Sequence, residues 1–249
     1  MAGREPRVSI DAGLQNPIPV ETSVYNRKLG IFVQIPVPGE TKTRLALPLA
    51  PAEARDLHRA FLADLFARIS RLKKISATVF YAGEDTTVIQ DLIPSKYPLV
   101  PQEGASPAER LENAFRKLLG NEGNVACIIG SKSPDLPLVY LKRAYVKLKH
   151  RDVVLGPTFD GGCYLIALKR LIPEMLQNLA WGETGVLSDA LGKVQLNKLS
   201  CALLPPWYDV DTMESLSLLK TMLLARKIEG RDRLRHVERV LDTIHGTER

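Results

Sequence analysis

Two basic residues follow the first apolar segment of the chain and could bind a phosphate group. Residues 29–35 are apolar, and the stretch after them contains Gly39, Lys42 and Arg44. Gly39 permits a tight turn. The two cations alternate in an extended stretch, so both could converge on one phosphate, arginine as a two-pronged fork and lysine as a point charge. A solvated basic loop is the competing interpretation, and composition alone does not separate the two.

Two carboxylates stand two residues apart near position 210. In an extended stretch, Asp209 and Asp211 would point to the same side of the backbone. Paired carboxylate oxygens suit Mg²⁺ or Mn²⁺ bound together with a diphosphate. Asp211 or Thr212 could instead cap the helix that follows, and both roles can hold.

Two further loops carry an acidic residue. Asp160 is followed by Gly161 and Gly162 between two predicted strands, which is typical of a hairpin turn. The same glycines would let a ligand approach the backbone closely. Asp135 precedes a predicted helix, and capping that helix is favoured over a role in binding.

Strands that alternate with amphipathic helices would position these residues. This alternation predicts an α/β fold with a doubly wound, mostly parallel sheet. The carboxyl ends of parallel strands then share one edge, where ligands bind. We therefore expect Lys42, Arg44, Asp160 and Asp209 to face one cleft. The predicted strands are 29–35, 75–81, 125–129, 153–155, 164–168 and 199–204, and the predicted helices are 52–69, one capped by Ser106, and 137–148.

Three regions follow from this pattern. Residues 1–28 lack apolar periodicity and are interpreted as an extension that is dispensable for folding, residues 29–212 as the α/β domain, and residues 213–249 as a helical segment packed on it. A homodimer interface is the alternative role for the terminal helices, but packing on their own core is favoured.

Composition excludes several classes of protein. The 249-residue chain has a net charge of +6 and a pI of about 9.2, with bases and acids mixed. No arginine-rich arm or zinc-finger spacing indicates nucleic-acid binding, and a phosphorylated small ligand fits better. No apolar run is long enough for a membrane span or a signal peptide, so cytoplasmic localisation is expected. The three cysteines lie in apolar stretches and are expected to be free core residues.

Several motifs together resemble a bacterial family of proteins proposed to be GT-A-like glycosyltransferases. The resemblance covers about residues 29–212 and is carried by IPVPGETKTRL, residues 102–115, GSKSPDL, DVVLGPTFDGGCYLIAL, WGETGVL and WYDVDT. It implies a Rossmann-like nucleotide-diphospho-sugar transferase fold, similar to guanylyltransferases that build deazaflavin and molybdenum cofactors. It also groups Trp181, the first residue of WGETGVL, with the nucleotide-binding residues.

The sequence departs from that family at one charged position. The resemblance implies Gly-Ser-Asp after the third strand, with the aspartate binding a metal, whereas this chain has Lys132. An ammonium group cannot ligate a cation and repels one. Mg²⁺ or Mn²⁺ therefore stays an open alternative that Lys132 disfavours, and Lys132 could itself meet a phosphate or pair with the carboxylates at 209 and 211.

Three functions remain open at this point. The first is transfer of a sugar from a nucleoside diphosphate-sugar, with Lys42 and Arg44 holding phosphates, Asp209 and Asp211 holding a metal or a hydroxyl, and Asp160 orienting the acceptor or acting as a base. The second is nucleotidyl transfer with release of pyrophosphate. The third is a non-catalytic nucleotide-binding or partner-binding protein, which Lys132 motivates.

Overall fold

One mixed sheet organises the part of the chain that the computed structural model describes, residues 8–10, 26–45 and 49–246. Its eight strands have the order β1-β8-β6-β7-β5-β2-β3-β4. Neighbouring strands are parallel, except that β7 is antiparallel to both β5 and β6. The strands are β1 (Val8–Ile10), β2 (Asn26–Gln34), β3 (Ile75–Ala82), β4 (Leu99–Pro101), β5 (Asn124–Ile129), β6 (Val153–Pro157), β7 (Cys163–Leu168) and β8 (Cys201–Leu203).

Helices cover both faces of this sheet. Those of the described residues are α1 (Pro51–Ile69), α2 (Thr87–Gln90), α3 (Pro107–Leu118), α4 (Leu138–Lys147), α5 (Pro173–Leu176), α6 (Val186–Leu196), α7 (Met213–Ile228) and α8 (Arg235–Gly246). Helix α3 begins where the sequence predicts, because the Ser106 hydroxyl accepts a hydrogen bond from the backbone N–H of Glu109 at 3.2 Å. No helix in the described ranges is long and apolar enough to span a bilayer.

The central strand β2 separates two layers of the core. Leu29, Ile31 and Val33 point to the layer that includes α1 and α4. The opposite layer contains α3, α5 and α6, and it meets β2 at Gly30, where an added Cβ would lie 3.0 Å from Leu118 of α3. Glycine therefore allows α3 to pack closely on the sheet. A third cluster joins α1 to α7 and α8 through Phe61, among others.

The doubly wound α/β architecture predicted from the sequence is confirmed. Strand β2 begins at Asn26, three residues before the predicted start, and α7 begins at Met213. Residues 8–10 lie within the predicted extension, yet they pair in parallel with β8. That segment thus adds an edge strand, while the division into three regions stays a prediction.

The free cysteines agree with the prediction, with one difference in burial. Cys127 and Cys201 are buried, whereas Cys163 is half-buried at the start of β7. Burial raises the pKa of Cys163 and of Cys201 to about 12. Burial also raises the pKa of Cys127. None of the three is therefore a thiolate at neutral pH.

The parallel strands place four loops at one edge of the sheet. The loops after β2, β5, β6 and β8 comprise residues 35–45, 130–137, 158–162 and 204–212, and all leave the carboxyl ends of mutually parallel strands. These loops contain most of the charged residues singled out in the sequence.

Candidate functional site

A compact turn after β2 aims Lys42 at the interior. The buried hydroxyl of Thr41 donates to the carbonyl of Val37 at 2.8 Å and accepts from its N–H at 2.7 Å. Gly39 has a φ of 79° and Lys42 a φ of 56°. A left-handed conformation costs about 1–2 kcal/mol for a residue other than glycine, so the contacts of the Lys42 side chain must offset that cost.

Lys42 is bound by the protein itself. Its Nζ donates to the carbonyl of Val210 at 2.6 Å and to Oδ1 of Asp211 at 2.9 Å. It also lies 5.1 Å from the ring centre of Phe61. The side chain is 3% exposed. Burial lowers the pKa of Lys42, and the neighbouring Asp211 acts in the opposite direction. The sequence left a phosphate ligand and a solvated basic loop open for Lys42. In the structure its ammonium group fixes the loop after β8, so it is not a solvated side chain, and phosphate binding by Lys42 stays a prediction.

Asp211 lies between two ammonium groups. Lys132 Nζ is 2.7 Å from its Oδ2, so each carboxylate oxygen has one lysine partner. Burial alone would raise the pKa of Asp211, but Lys42 and Lys132 together lower it to about 2. The Lys132 side chain is 46% exposed. The predicted pairing of Lys132 with a carboxylate is confirmed for Asp211, and this pair forms the accessible face of the cluster.

Asp209 is joined to the loop after β5 by a hydroxyl. Ser133 Oγ lies 2.7 Å from Oδ1 of Asp209 and 2.8 Å from the carbonyl of Tyr208. Since one hydroxyl carries one proton, it donates to one of these at a time. Burial raises the pKa of Asp209 despite this contact and the nearby lysines. A backbone bond of 3.0 Å from Val210 N–H to the carbonyl of Lys132 completes the link between the two loops.

Asp160 occupies a hairpin turn at the same edge. The turn joins the antiparallel strands β6 and β7, which confirms the hairpin interpretation. Its Oδ1 accepts from the N–H of Gly162 at 3.1 Å and from the Thr158 hydroxyl. Gly161 has a φ of 83°. Phe159 is 70% exposed. Its backbone N–H donates to the carbonyl of Trp207 at 3.2 Å, so this turn adjoins the segment that carries the two aspartates.

Arg44 is a second exposed cation of the site, beside Lys132. Its side chain faces solvent, and its positive charge opposes the rise that Asp211 causes in the pKa of Lys132. Arg44 therefore lies in the neighbourhood of Lys132.

Two predicted residues require correction. Asp135 does not cap α4, which begins after Pro137 without a side-chain cap. Instead its fully buried carboxylate accepts from the Tyr208 hydroxyl at 2.6 Å and from the Trp207 indole at 3.2 Å. Trp181 is also a core residue: it is 5% exposed and donates its indole N–H to the carbonyl of Leu176 at 2.7 Å. Neither side chain is available to a ligand.

His58 was not found by sequence reasoning. It is buried on α1, and its Nε2 lies 3.1 Å from the carbonyl of Gln34. A carbonyl only accepts, so Nε2 carries the proton. Burial, reinforced by the charge of Lys42, lowers the His58 pKa to about 3. Because His58 is neutral, it adds no positive charge to that of Lys42 and Lys132. Nothing in the sequence around His58 indicates that it is buried next to the charged cluster.

The carboxylates present do not suit a resident divalent cation. Among the described residues, no group of three or more histidine, cysteine, aspartate or glutamate side chains converges as metal ligands. Both oxygens of Asp211 contact ammonium groups, and one of these belongs to Lys132. A divalent cation would have to displace both amines from the carboxylate and would be repelled by them. The ammonium groups of Lys42 and Lys132 already neutralise the negative charge of Asp211.

Comparisons with known proteins agree with this architecture. A sequence profile described as uncharacterized proteins conserved in bacteria (DUF2064) matches residues 65–183. Among curated proteins, none matches the sequence. A crystal structure from Desulfovibrio desulfuricans G20, of a proposed nucleotide-diphospho-sugar transferase, is similar with 27% identity and a TM-score of 0.78, covering 88% of this chain and 96% of that one.

Two more distant structures share the fold alone. A 4-diphosphocytidyl-2C-methyl-D-erythritol synthase from Anaerococcus prevotii DSM 20548 has 11% identity and a TM-score of 0.56, covering 82% of this chain and all of its own (100%). A CMP:2-keto-3-deoxy-manno-octonic acid synthetase complexed with CTP has 10% identity and a TM-score of 0.51, covering 80% and 99%. The resemblance to the bacterial family, and to the nucleotide-diphospho-sugar transferase fold, is thus confirmed.

Proposed function

We propose that this protein binds a nucleoside diphosphate-sugar at the loop edge of the sheet and transfers the sugar to an acceptor. One observation carries the proposal: Lys42 and Lys132 hold one carboxylate between them, and the exposed Arg44 lies nearby. This cluster stands where α/β sheets bind ligands, beyond the carboxyl ends of the strands. The 27% identical transferase-like structure supports the same substrate class.

Lys132 is the residue suited to exchange one anion for another. Because its side chain is 46% exposed, the ammonium can turn from Asp211 toward a phosphate without crossing the core. Asp211 would then stay bound to Lys42, which is 3% exposed and fixed by Val210. The exchange leaves no buried charge unpaired, which would otherwise be costly.

Leaving-group stabilisation is the chemistry these residues offer. As the bond between the sugar carbon and the phosphate oxygen breaks, its electron pair passes to the departing nucleoside diphosphate. Lys132 and Arg44 would stabilise that negative charge as it develops. Lysine would supply part of the charge that a metal ion provides in other enzymes. Mg²⁺ or Mn²⁺ is therefore not required by this proposal.

The hairpin after β6 is the proposed acceptor side. Asp160 is exposed, and its Oδ1 is held by Thr158 and Gly162 while the carboxylate still faces solvent. A fixed carboxylate can orient an acceptor hydroxyl or accept its proton. The adjacent ring of Phe159 offers an apolar surface for the same molecule.

Nucleotidyl transfer is the second candidate. It is favoured by the fold that this chain shares with the cytidylyl-transferring structures, one of which is complexed with CTP. In that reaction the same cations would stabilise charge on the phosphates of a nucleoside triphosphate. The two reactions release different products, a nucleoside diphosphate or pyrophosphate.

Product analysis tests the proposal. Purified protein would be incubated with nucleoside diphosphate-sugars and a panel of small acceptors, and released nucleoside diphosphate would be measured by chromatography. We expect release by wild type, a large loss in Lys132→Ala, and no change in Lys73→Ala, which removes an exposed lysine at the opposite edge of the sheet. Pyrophosphate released from nucleoside triphosphates would favour the second candidate. Failure to bind any nucleotide would refute both candidates and favour a partner-binding protein.

A further inference from the structure

The segment that carries Lys132 is bound on two sides. On the solvent side, Lys132 pairs with Asp211 and Ser133 contacts Asp209. Between positions 131 and 136, Lys132 is the one exposed residue, and the other five are buried. A loop with so many inward side chains must be held by the elements behind it.

Two arginines from distant helices bind the backbone of this segment. Arg226 of α7 donates from Nη2 to the carbonyl of Asp135 at 2.9 Å. Arg68 of α1 donates from Nη1 to the carbonyl of Pro134 at 2.7 Å. The Arg226 side chain is 12% exposed and that of Arg68 is 6% exposed. Charge-assisted bonds of this kind, shielded from water, are stronger than neutral ones.

The turn between α7 and α8 fixes both arginines. Its Asp232 lies 3.4 Å from Nε of Arg68, and its carbonyl accepts from Nη1 of Arg226 at 3.3 Å. Helix α8 is in turn tied to α1, because Asp64 accepts from the N–H groups of Val237 at 2.9 Å and His236 at 3.3 Å. A carboxylate at those first N–H groups acts as a cap supplied by another helix.

Ion pairs within the protein hold this rear cluster together. Its buried cations are Arg68 and Arg226, and its anions are Asp232 and the fully buried Asp135, whose Oδ2 lies 4.0 Å from Arg226. Asp232 is shared with the exposed Arg71, whose Nη1 lies 2.6 Å from its Oδ1. Asp135 is also bound by Tyr208 and Trp207, which lead directly to Asp209 and Asp211. The rear cluster therefore contacts both loops that carry the charged site residues, the loop after β5 with Lys132 and the loop after β8 with Asp211.

We propose that Arg226 and Arg68 are positioning residues that hold the backbone at 134–135 so that Lys132 faces the phosphate site. The helices α7 and α8 would then serve the site directly, in addition to packing on the core. Loss of the Arg226 bond would release the loop and shift the Lys132 side chain, although the residue itself is unchanged.

Hydrogen exchange and calorimetry test this inference with three variants. Arg226→Ala removes the hydrogen bonds that Arg226 donates to the carbonyls of Asp135 and Asp232. Arg226→Lys retains the positive charge but not the geometry of the guanidinium group. Arg233→Ala is the control. Arg233 lies in the same turn and pairs with the exposed side of α8 through Glu238, without contact to the loop after β5. We would measure amide exchange in residues 131–136 and the binding of inorganic pyrophosphate in EDTA.

The expected result is a local change in Arg226→Ala. Amides in 131–136 should exchange about tenfold faster, and pyrophosphate affinity should fall about tenfold, which corresponds to about 1.4 kcal/mol. Arg226→Lys should recover part of both effects, and Arg233→Ala should match wild type. If Arg226→Ala does not fold, the same comparison is made between Arg226→Lys and Arg233→Ala.

Wild-type exchange in 131–136 of a folded Arg226 variant would overturn the inference, even if its melting temperature fell. The affinity measurement rests on the proposed function, but the exchange measurement does not. If wild type fails to bind pyrophosphate, the proposed function fails and exchange still decides the role of Arg226.

Discussion

Replacing Asp211 by asparagine tests whether the charged cluster is assembled as the structure indicates. The Asp211 carboxylate is 20% exposed and is the anion shared by Lys42 and Lys132. An asparagine of the same shape would keep one acceptor oxygen and turn an amide N–H₂ group toward the second lysine. Lys42 would then be buried with the Val210 carbonyl and a weaker partner.

The size of the effect follows from the Asp211 pKa. Lowering this pKa from 3.8 to about 2 corresponds to about 2 kcal/mol of folding free energy at neutral pH, since a shift of one pKa unit is worth about 1.4 kcal/mol. Breaking a buried ion pair on one side costs about 3–5 kcal/mol. Asparagine retains an acceptor, so we expect Asp211→Asn to lose about 2–3 kcal/mol of unfolding free energy at pH 7.

The loss of unfolding free energy caused by Asp211→Asn should become smaller at low pH. Because the folded pKa of Asp211 lies below its unfolded value, its stabilisation is fully present above pH 3.8 and is lost as the pH falls through about 2. The difference between wild type and Asp211→Asn should therefore be constant from neutral pH to about pH 5. It should narrow as the pH is lowered further.

Urea denaturation of both proteins between pH 7 and pH 3 measures this difference. Asp91→Asn is the control, since Asp91 is exposed and Asp91→Asn removes an equal charge away from the cluster. Equal unfolding free energies for Asp211→Asn and wild type at pH 7 would refute the arrangement. A deficit that stays constant down to pH 3 would show that its cause is packing and not the carboxylate charge.

Three further predictions concern other parts of the chain. Arg44→Ala should weaken nucleoside diphosphate binding by about 1.5 kcal/mol in calorimetry if it contacts a phosphate; unchanged affinity would exclude that contact. Trp181→Phe should lower the unfolding free energy by about 1–2 kcal/mol, because the hydrogen bond to the Leu176 carbonyl is lost, while nucleotide affinity stays unaltered. A loss of nucleotide affinity without a loss of stability would contradict the assignment of Trp181 to the core. A chain beginning at Asn26 should fold without β1 and melt only a few degrees lower, at about 2–4 °C for each kcal/mol lost, whereas an insoluble product would show that the extension is required.

The fold and the location of the site follow from patterns that sequence makes visible. Alternating strands and helices predict the parallel sheet, and parallel strands bring their carboxyl ends together wherever the exact boundaries lie. The loops that carry Lys42, Lys132 and Asp211 thus meet as expected. Ser106 marks the start of α3 because a cap is a local interaction between neighbouring residues.

The direction of individual side chains could not be predicted, because it depends on partners far along the chain. Lys42 points inward only because Thr41 closes a turn and Asp211 lies 169 positions away. Asp135 looks like a cap in sequence, yet Tyr208 and Trp207 bind it from across the fold. A polar residue near a helix start has the same local signal in both cases, and only tertiary contacts distinguish them.

Nucleoside diphosphate binding in the absence of metal tests whether Lys132 supplies the positive charge of the phosphate site. Calorimetry would titrate wild type, Lys132→Ala and Lys73→Ala with UDP, GDP, CDP and ADP, each in EDTA and again with Mn²⁺. We predict binding in EDTA that weakens at least about tenfold in Lys132→Ala, by about 1.4 kcal/mol or more, and is unchanged in Lys73→Ala. Binding that requires Mn²⁺, or that Lys132→Ala leaves intact, would contradict it.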